Sequence, residues 1–283
     1  MTGMNAGRPL LDIEELNVTY RTTKGPVEAV RGVSFTLGRE KLGIVGESGS
    51  GKSQTGRAIL GLTAANGQVT ARKLDFDGID LLGASERDLR AIRGNRISMI
   101  LQDPKYSLNP VMTVGKQIAE AYRTHHKASR RAAREKALAM LEAVLIREPE
   151  RVYRSYPHEL SGGMGQRVMI AMMMIPEPDI IIADEPTSAL DVTVAQQVLA
   201  ILDRMVGVRQ TGLILISHDL ELVASYCDRV LIMYGGRVVE TCSASELANA
   251  RHPYTQGLLR CLPKIDEPRS ELAVLDRDPA WLA

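Results

Sequence analysis

Eight residues, Gly46-Glu47-Ser48-Gly49-Ser50-Gly51-Lys52-Ser53, fit the pattern G-x-x-x-x-G-K-[ST] in full. The pattern makes demands on both of its flanks, and both are met. The apolar run Leu42-Gly43-Ile44-Val45 reads as a buried strand leading in, and Ala58-Ile59-Leu60-Gly61-Leu62 follows at helical spacing. Glycines in such a strand–loop–helix let backbone N–H groups curl around phosphate oxygens with no Cβ in the way. The helix that follows points its positive end at the same anion. Lys52 is expected to reach the β- and γ-phosphates of a nucleotide and Ser53 to ligate Mg²⁺. A flexible Gly/Ser turn would need neither the Lys-Ser pair nor the buried strand before it.

Composition narrows the partners. The 283 residues suffice for one large domain or two small ones, and a hydrophobic fraction of 45% can fill a sizeable core. A formal net charge of +1 favours neither nucleic acid nor an anionic membrane surface, and 4% aromatic residues argue against base-stacking platforms. Cys227, Cys242 and Cys261 lie far apart, which fits reduced thiols rather than disulfides or a zinc site. The N-terminus has no apolar signal core, and the apolar run from Val168 to Ile175 is too short to span a bilayer. These features lead us to expect a soluble, intracellular chain unless another protein holds it at a membrane.

Periodicity orders the rest. Leu10 to Tyr20 alternates and reads as an edge-type strand, Arg21 to Pro26 as a turn, and Val27 to Leu37 as further strand ended by Gly38. Asn66 to Asp80, with the turn Asp77-Gly78, suggests a hairpin. Ser85 is placed to cap a helix over Glu86 to Ile92, and Ile97 to Leu101 is a short strand. Residues 113–148 look helical, with a basic solvated face at Lys127 to Lys136. Pro157 and Ser161-Gly162-Gly163 break the chain before a helix over Gln166 to Ile175. Then come a strand at Ile180 to Ala183, a helix at Thr193 to Val206, a strand at Leu213 to Ser217 and a helix at Leu220 to Tyr226. Val230 to Tyr234 and Arg237 to Glu240 form a hairpin at Gly235-Gly236, and from about Ser243 the chain turns helical before a charged, Pro-containing tail. Alternating strands and helices imply a mainly parallel sheet with helices on both faces.

Four more segments carry chemistry. The strand Ile180-Ile181-Ile182-Ala183 ends in Asp184-Glu185. Asp184 is a candidate Mg²⁺ ligand and Glu185 a candidate general base for the attacking water; a helix N-cap pair is the plainer reading. In Leu160-Ser161-Gly162-Gly163-Met164-Gly165-Gln166, Ser161 either builds a second anion-binding helix start, useful if it closes over a partner's nucleotide, or simply caps a Gly-rich helix. His218 follows a core strand at the edge where ligands bind in such sheets, although a lone His is more often structural. Gln102 ends another strand and can sense both Mg²⁺ and water.

Taken along the chain as Tyr20, the phosphate loop, Gln102, the Leu160-Ser161-Gly162-Gly163 signature, Asp184-Glu185, Ser188-Ala189-Leu190-Asp191 and His218, these segments resemble the nucleotide-binding subunit of ATP-binding cassette (ABC) transporters, over roughly residues 10–245. The resemblance implies an α/β fold of the P-loop NTPase, ABC type, with a mainly parallel core sheet, an antiparallel β layer and an inserted α-helical subdomain. It puts the ATPase domain at 8–245, the helical subdomain at about 103–165 and a short C-terminal extension at 246–283. Two such domains would sandwich two ATPs head to tail. Tyr20 would stack on adenine, and Gly46, Glu47, Ser48, Gly49, Ser50, Gly51, Lys52, Ser53 and Gln54 would hold the nucleotide. Ser53, Gln102 and Asp184 would serve Mg²⁺; Glu185, His218 and Gln102 would serve hydrolysis. Ser161, Gly162, Gly163, Met164 and Gln166 would act on the partner's ATP, and Asp191 would bridge the two sites.

Tyr156-Pro157-His158-Glu159-Leu160, Gln166 to Ala171, Ala189 to Val194 and His252-Pro253-Tyr254-Thr255-Gln256-Gly257-Leu258-Leu259 look like the peptide and nickel importer branch. Asn109-Pro110-Val111-Met112 resembles the branch's surface for membrane subunits. Gly165 departs from a usual long polar residue, at a cost of up to about 1 kcal/mol and with looser closure expected. Met172-Met173-Met174-Ile175 also departs, as an adaptable filler. Without the cysteine-rich extension of many relatives, no iron–sulfur cluster is expected. The resemblance thus implies the ATPase of an importer for peptides, or for nickel or opine-type solutes, on the cytoplasmic side of the inner membrane. Its partners would be a second ATPase subunit, identical or homologous, two permeases and an extracytoplasmic solute-binding protein. The other readings are an exporter subunit and a non-transport ATPase of translation or DNA repair. Such soluble relatives usually carry two cassettes or a coiled-coil insertion, neither of which is here.

Overall fold

The computed structural model describes residues 8–262 and residue 281. The described residues fall into two compact units: the chain up to Ala84 together with the chain from Ile214 onward, and Ser85–Leu213 between them.

The first unit opens with two long strands, β1 (Leu11–Thr22) and β2 (Gly25–Leu37), paired antiparallel from Leu11 opposite Leu37 to Thr22 opposite Gly25. The loop between them is therefore two residues, shorter than the turn expected from Arg21 to Pro26. Then come β3 (Lys41–Val45), α1 (Lys52–Ile59), β4 (Gly67–Thr70), β5 (Lys73–Phe76) and β6 (Ile79–Asp80). β1 also pairs with β4 and β5 along its other side, so it is interior to its sheet and not the edge strand the alternation suggested. Alternation reports one buried face; it carries no information on whether backbone groups are paired on one side or two. The buried positions Leu11, Ile13, Leu16 and Val18 slip by one residue at Glu15, whose φ of 54° marks a bulge.

The second unit holds α2 (Glu86–Ile92), β7 (Ile97–Ile100), α3 (Pro104–Ser107), α4 (Val114–His125), α5 (Arg130–Ala143), α6 (Pro149–Arg154), α7 (Gly162–Met174), β8 (Ile180–Asp184) and α8 (Val192–Arg209). Ser85 caps α2, its side chain accepting from the Asp88 amide. The helical stretch expected over 113–148 is two helices, because Ser129 starts afresh by accepting from the Ala132 amide. α3 and α6 are short helices opened by prolines and capped outside the apolar period, which is why periodicity passes over them. α7 begins at Gly162, four residues before the expected start; the two glycines lie inside its first turn. β7 and β8 pair in parallel, and every residue of both is buried.

The chain returns to the first unit through β9 (Gly212–Ser217), α9 (Leu220–Tyr226), β10 (Arg229–Tyr234), β11 (Arg237–Ser243) and α10 (Pro253–Cys261). There β11, β10, β3 and β9 lie side by side, β10 parallel to β3 and antiparallel to β11. The charged tail expected after α10 lies outside the described residues.

Candidate functional site

β3 ends at Val45 and α1 begins at Lys52, so the motif is the connection between a fully buried strand end and a helix start. Gly51 takes φ 99° and Gly49 φ 83°, both in the left-handed region. A Cβ at Gly46 would stand 2.1 Å from the Met233 carbonyl oxygen, and one at Gly51 would stand 2.4 Å from that of Ala29. The loop is thus walled by backbone at Gly46 and Gly51, and these two positions leave no space for a side chain. Lys52 is 5% exposed, and its Nζ donates to the carbonyl oxygens of Gly46 (2.7 Å) and Glu47 (2.9 Å). Those bonds arch the side chain back over the loop and set a positive charge beside the amides at the start of α1. A cradle sized for backbone, with an ammonium laid across it, fits a polyphosphate.

From β1, the Tyr20 hydroxyl bonds to Gln54 Oε1, which ties the ring to the first turn of α1. A cavity of about 420 Å³ opens beside the loop, lined by Gly46, Glu47, Ser48, His218, Leu220 and Leu258. The structure therefore brings His218 and the loop to one space, although they are far apart in the chain. Glu47 also donates its amide to the Tyr254 hydroxyl at 3.1 Å, from a residue 207 positions away. Nothing in the local sequence around Tyr254 signals that contact.

The second unit carries the carboxylates. Asp184 closes β8 and is 5% exposed. Glu185 follows at φ 48°, a conformation that costs a non-glycine residue about 1–2 kcal/mol and is held here by the Ser188 amide and hydroxyl, both donating to the Glu185 carbonyl. The Gln102 amide nitrogen lies 3.3 Å from Glu185 Oε2 and donates to it. Two side chains 83 residues apart, singled out for the same chemistry, are therefore in contact.

α7 starts at the signature. Ser161 caps it, its Oγ accepting from the Met164 amide at 3.4 Å. Ser161 and Gly162 are exposed. A Cβ at Gly163 would lie 2.5 Å from Val194 Cγ1, so this position is locked against α8. Gln166, in the second turn of α7, is 1% exposed. A cavity of about 550 Å³ lies here, between Pro104, Leu108, Pro157, Ser161, Gly165 and Leu190. A Cβ at Gly165 would meet Pro104 at ordinary contact distance, 3.4 Å, so the helix start at this position is open rather than strained. Asp191 caps α8, accepting from the Val194 amide at 3.0 Å.

Among the described residues no cluster of three or more His, Cys, Asp or Glu side chains could hold a metal alone. No helix of the described residues is long and apolar enough to cross a membrane.

Comparison with known proteins agrees with this geometry. The family model described as ABC transporter matches residues 30–188. The chain is 46% identical over 272 residues to the oligopeptide transport ATP-binding protein OppD of Salmonella typhimurium, covering 95% of this chain and 81% of that one. It is 45% identical to the dipeptide transport ATP-binding protein DppD of Bacillus subtilis, covering 95% and 82%. Among solved structures, the dimeric ATP-binding cassette MJ0796 bound to ADP and Pi in a post-hydrolysis state superposes with a TM-score of 0.74 at 25% identity, over 83% of this chain and 98% of that one. The cbiO1 subunit from Clostridium perfringens, part of the ABC transporter complex cbiONQ, gives 0.72 at 26% identity over 89% and 95%.

Proposed function

The chain belongs to the ABC transporter family, and from that membership we propose that it is the ATP-hydrolysing subunit of an importer of di- or oligopeptides. The observation that carries the peptide assignment is the likeness to OppD and DppD along nearly the whole chain. A nickel or opine-type solute is the alternative cargo; no feature of the site itself favours it, because an ATPase subunit does not touch the solute.

The residues divide the work. The loop from Gly46 to Ser53 binds the phosphates through its amides, with Gln54 continuing the same turn. Lys52 turns its ammonium from the Gly46 and Glu47 carbonyls toward the β- and γ-phosphates. Tyr20, steadied by Gln54, offers its ring to the adenine. Ser53, Asp184 and Gln102 would serve as ligands to magnesium, which when bound would neutralise the phosphate charge. Glu185 takes the proton of the attacking water; Gln102, donating to one oxygen of that carboxylate, orients it. His218 holds the water or the γ-phosphate from the loop side.

Ser161, Gly162, Gly163 and Met164 present a helix start to ATP bound by a second ATPase subunit, with Asp191 nearby. Two permeases, which hold the chain at the inner face of the membrane, and an extracytoplasmic binding protein complete the machine. Val111, in the Asn109-to-Met112 segment expected to meet the permeases, stands 79% exposed, which suits burial by a partner.

Uptake of labelled di- and oligopeptides, with nickel as control, in cells carrying wild type or Glu185→Gln tests the reading. Loss of peptide uptake alone is the expected result. Loss of nickel uptake alone would keep the mechanism and overturn the cargo; unchanged uptake of both would sink the importer assignment.

A further inference from the structure

α10 belongs to the C-terminal extension, beyond the segment the family model covers, and neither the fold class nor the hydrolytic chemistry requires it. It is nevertheless built onto the phosphate loop. Its start is anchored by Glu240 of β11, whose two carboxylate oxygens accept from the amides of Arg251 (2.6 Å) and His252 (3.3 Å). His252 then caps the helix, its Nδ1 accepting from the Tyr254 amide at 3.2 Å. Tyr254 is fully buried, its ring 4.5 Å from that of Tyr234 and 5.8 Å from that of Trp281. A buried phenol is expensive unless its oxygen is bonded, and this oxygen accepts from the amide of Glu47.

Both backbone polar groups of Glu47 are thereby held. Tyr254 takes its N–H, while its carbonyl accepts from Lys52 Nζ and from the Ser50 amide at 3.1 Å. Glu47 also sits next to Gly46, the other carbonyl on which the Lys52 ammonium rests. The Glu47 N–H and the Gly46 carbonyl share one peptide plane, so rotation of that plane would shift both the curl of the loop and the position of the ammonium.

We infer that Tyr254 is a positioning residue for nucleotide binding, and that α10 is a brace which fixes the first turn of the phosphate loop through the Glu47 amide. It acts through Glu47 and Lys52 and touches no reacting atom. The inference rests on the reading of this loop as the ATP site, and adds to it a dependence on the C-terminal extension.

Tyr254→Phe removes the oxygen and leaves the ring stack in place. Because one hydrogen bond is lost within an otherwise intact loop, the KM and Kd for ATP are expected to rise about two- to tenfold. The kcat should stay within about twofold, and the melting temperature should change little. Amide exchange read residue by residue should show Glu47 losing protection while the middle of α1 keeps its own. Glu240→Ala, which frees the start of α10 without touching the loop, should raise the KM in the same direction. Wild-type ATP affinity and wild-type Glu47 protection in folded Tyr254→Phe would overturn the inference. Should that variant not fold, Glu240→Ala decides on the same readings. A Glu47 amide that exchanges in the wild type as fast as an unprotected amide overturns it as well. Lys52→Ala in parallel separates the two levels: if wild type and Lys52→Ala bind ATP alike, the loop reading itself fails; if Lys52→Ala alone loses binding, only the brace is at fault.

Discussion

Gly46 and Gly49 are both glycines of one loop, yet the structure asks different things of them. At Gly46 a methyl group would lie 2.1 Å from a backbone oxygen of β10, an atom that cannot move without moving the strand. At Gly49 a Cβ meets nothing within 4 Å, and only the φ of 83° resists. Gly46→Ala is therefore expected to abolish measurable ATP binding by calorimetry. Gly49→Ala should cost about 1–2 kcal/mol of stability and still bind. Equal losses in the two variants would show that the loop responds to glycine content and not to these walls. At this scale the local setting was most legible: the loop joins a strand to a helix, and Asp184 and Gln102 lie at or just past strand ends, as apolar runs and spacing suggested. What the sequence could not reveal were contacts such as Met233 with Gly46, Val194 with Gly163 and Tyr254 with Glu47. Their partners lie in other elements, and no local pattern encodes which elements meet.

Among the elements, α10 offers a pH test because one carboxylate holds its start. Burial works against the charge on Glu240, but the Thr255 side chain and the amides of Arg251 and His252 together outweigh it, and its carboxyl is held below the ordinary value of 4.5. In acid the unfolded chain takes up this proton first. The stabilisation from Glu240 is thus whole above the ordinary carboxyl pKa and is lost as pH falls through the lower, folded value. Trp281, the only tryptophan, packs 5.8 Å from Tyr254 and 5.7 Å from Tyr234, so its fluorescence reports on this corner. Wild type should exceed Glu240→Gln in stability at neutral pH, and the gap should close below about pH 4.5, with the titration read from Trp281. A gap independent of pH would assign the effect to packing. Elements were read well where apolar period and cap agreed, as in α2 and α9, and poorly where they did not. β1 read as an edge because alternation is blind to pairing, and α4 and α5 read as one helix because the Ser129 cap lies within a polar, basic stretch.

For the molecule as a whole, the decisive property is that one chain carries one loop and one signature. Ser161 and Gly162 lie at the exposed start of a 13-residue helix, a surface suited to an anion and placed on the unit that lacks the phosphate loop. If that surface serves a second subunit's nucleotide, ATP itself is part of the interface, and association must depend on it. With the ATPase subunit expected beside it in the cell, Glu185→Gln should bind ATP without turning it over and hold the pair closed. In light scattering the 31.0 kDa chain should then appear at about the summed mass of the two subunits only when ATP is present. Ser161→Arg should abolish the assembly, because it fills the helix start with a bulky side chain, while leaving the chain's own loop free to bind nucleotide. Asp191→Asn, which keeps the cap on the Val194 amide but removes the charge, should weaken assembly without loss of α8. Assembly that persists without ATP, or that ignores Ser161→Arg, would mean the interface is ordinary protein surface and the signature has some other task. ATP-dependent assembly lost in Ser161→Arg, with loop affinity unchanged, would tie closure to a surface that one subunit lends to the other.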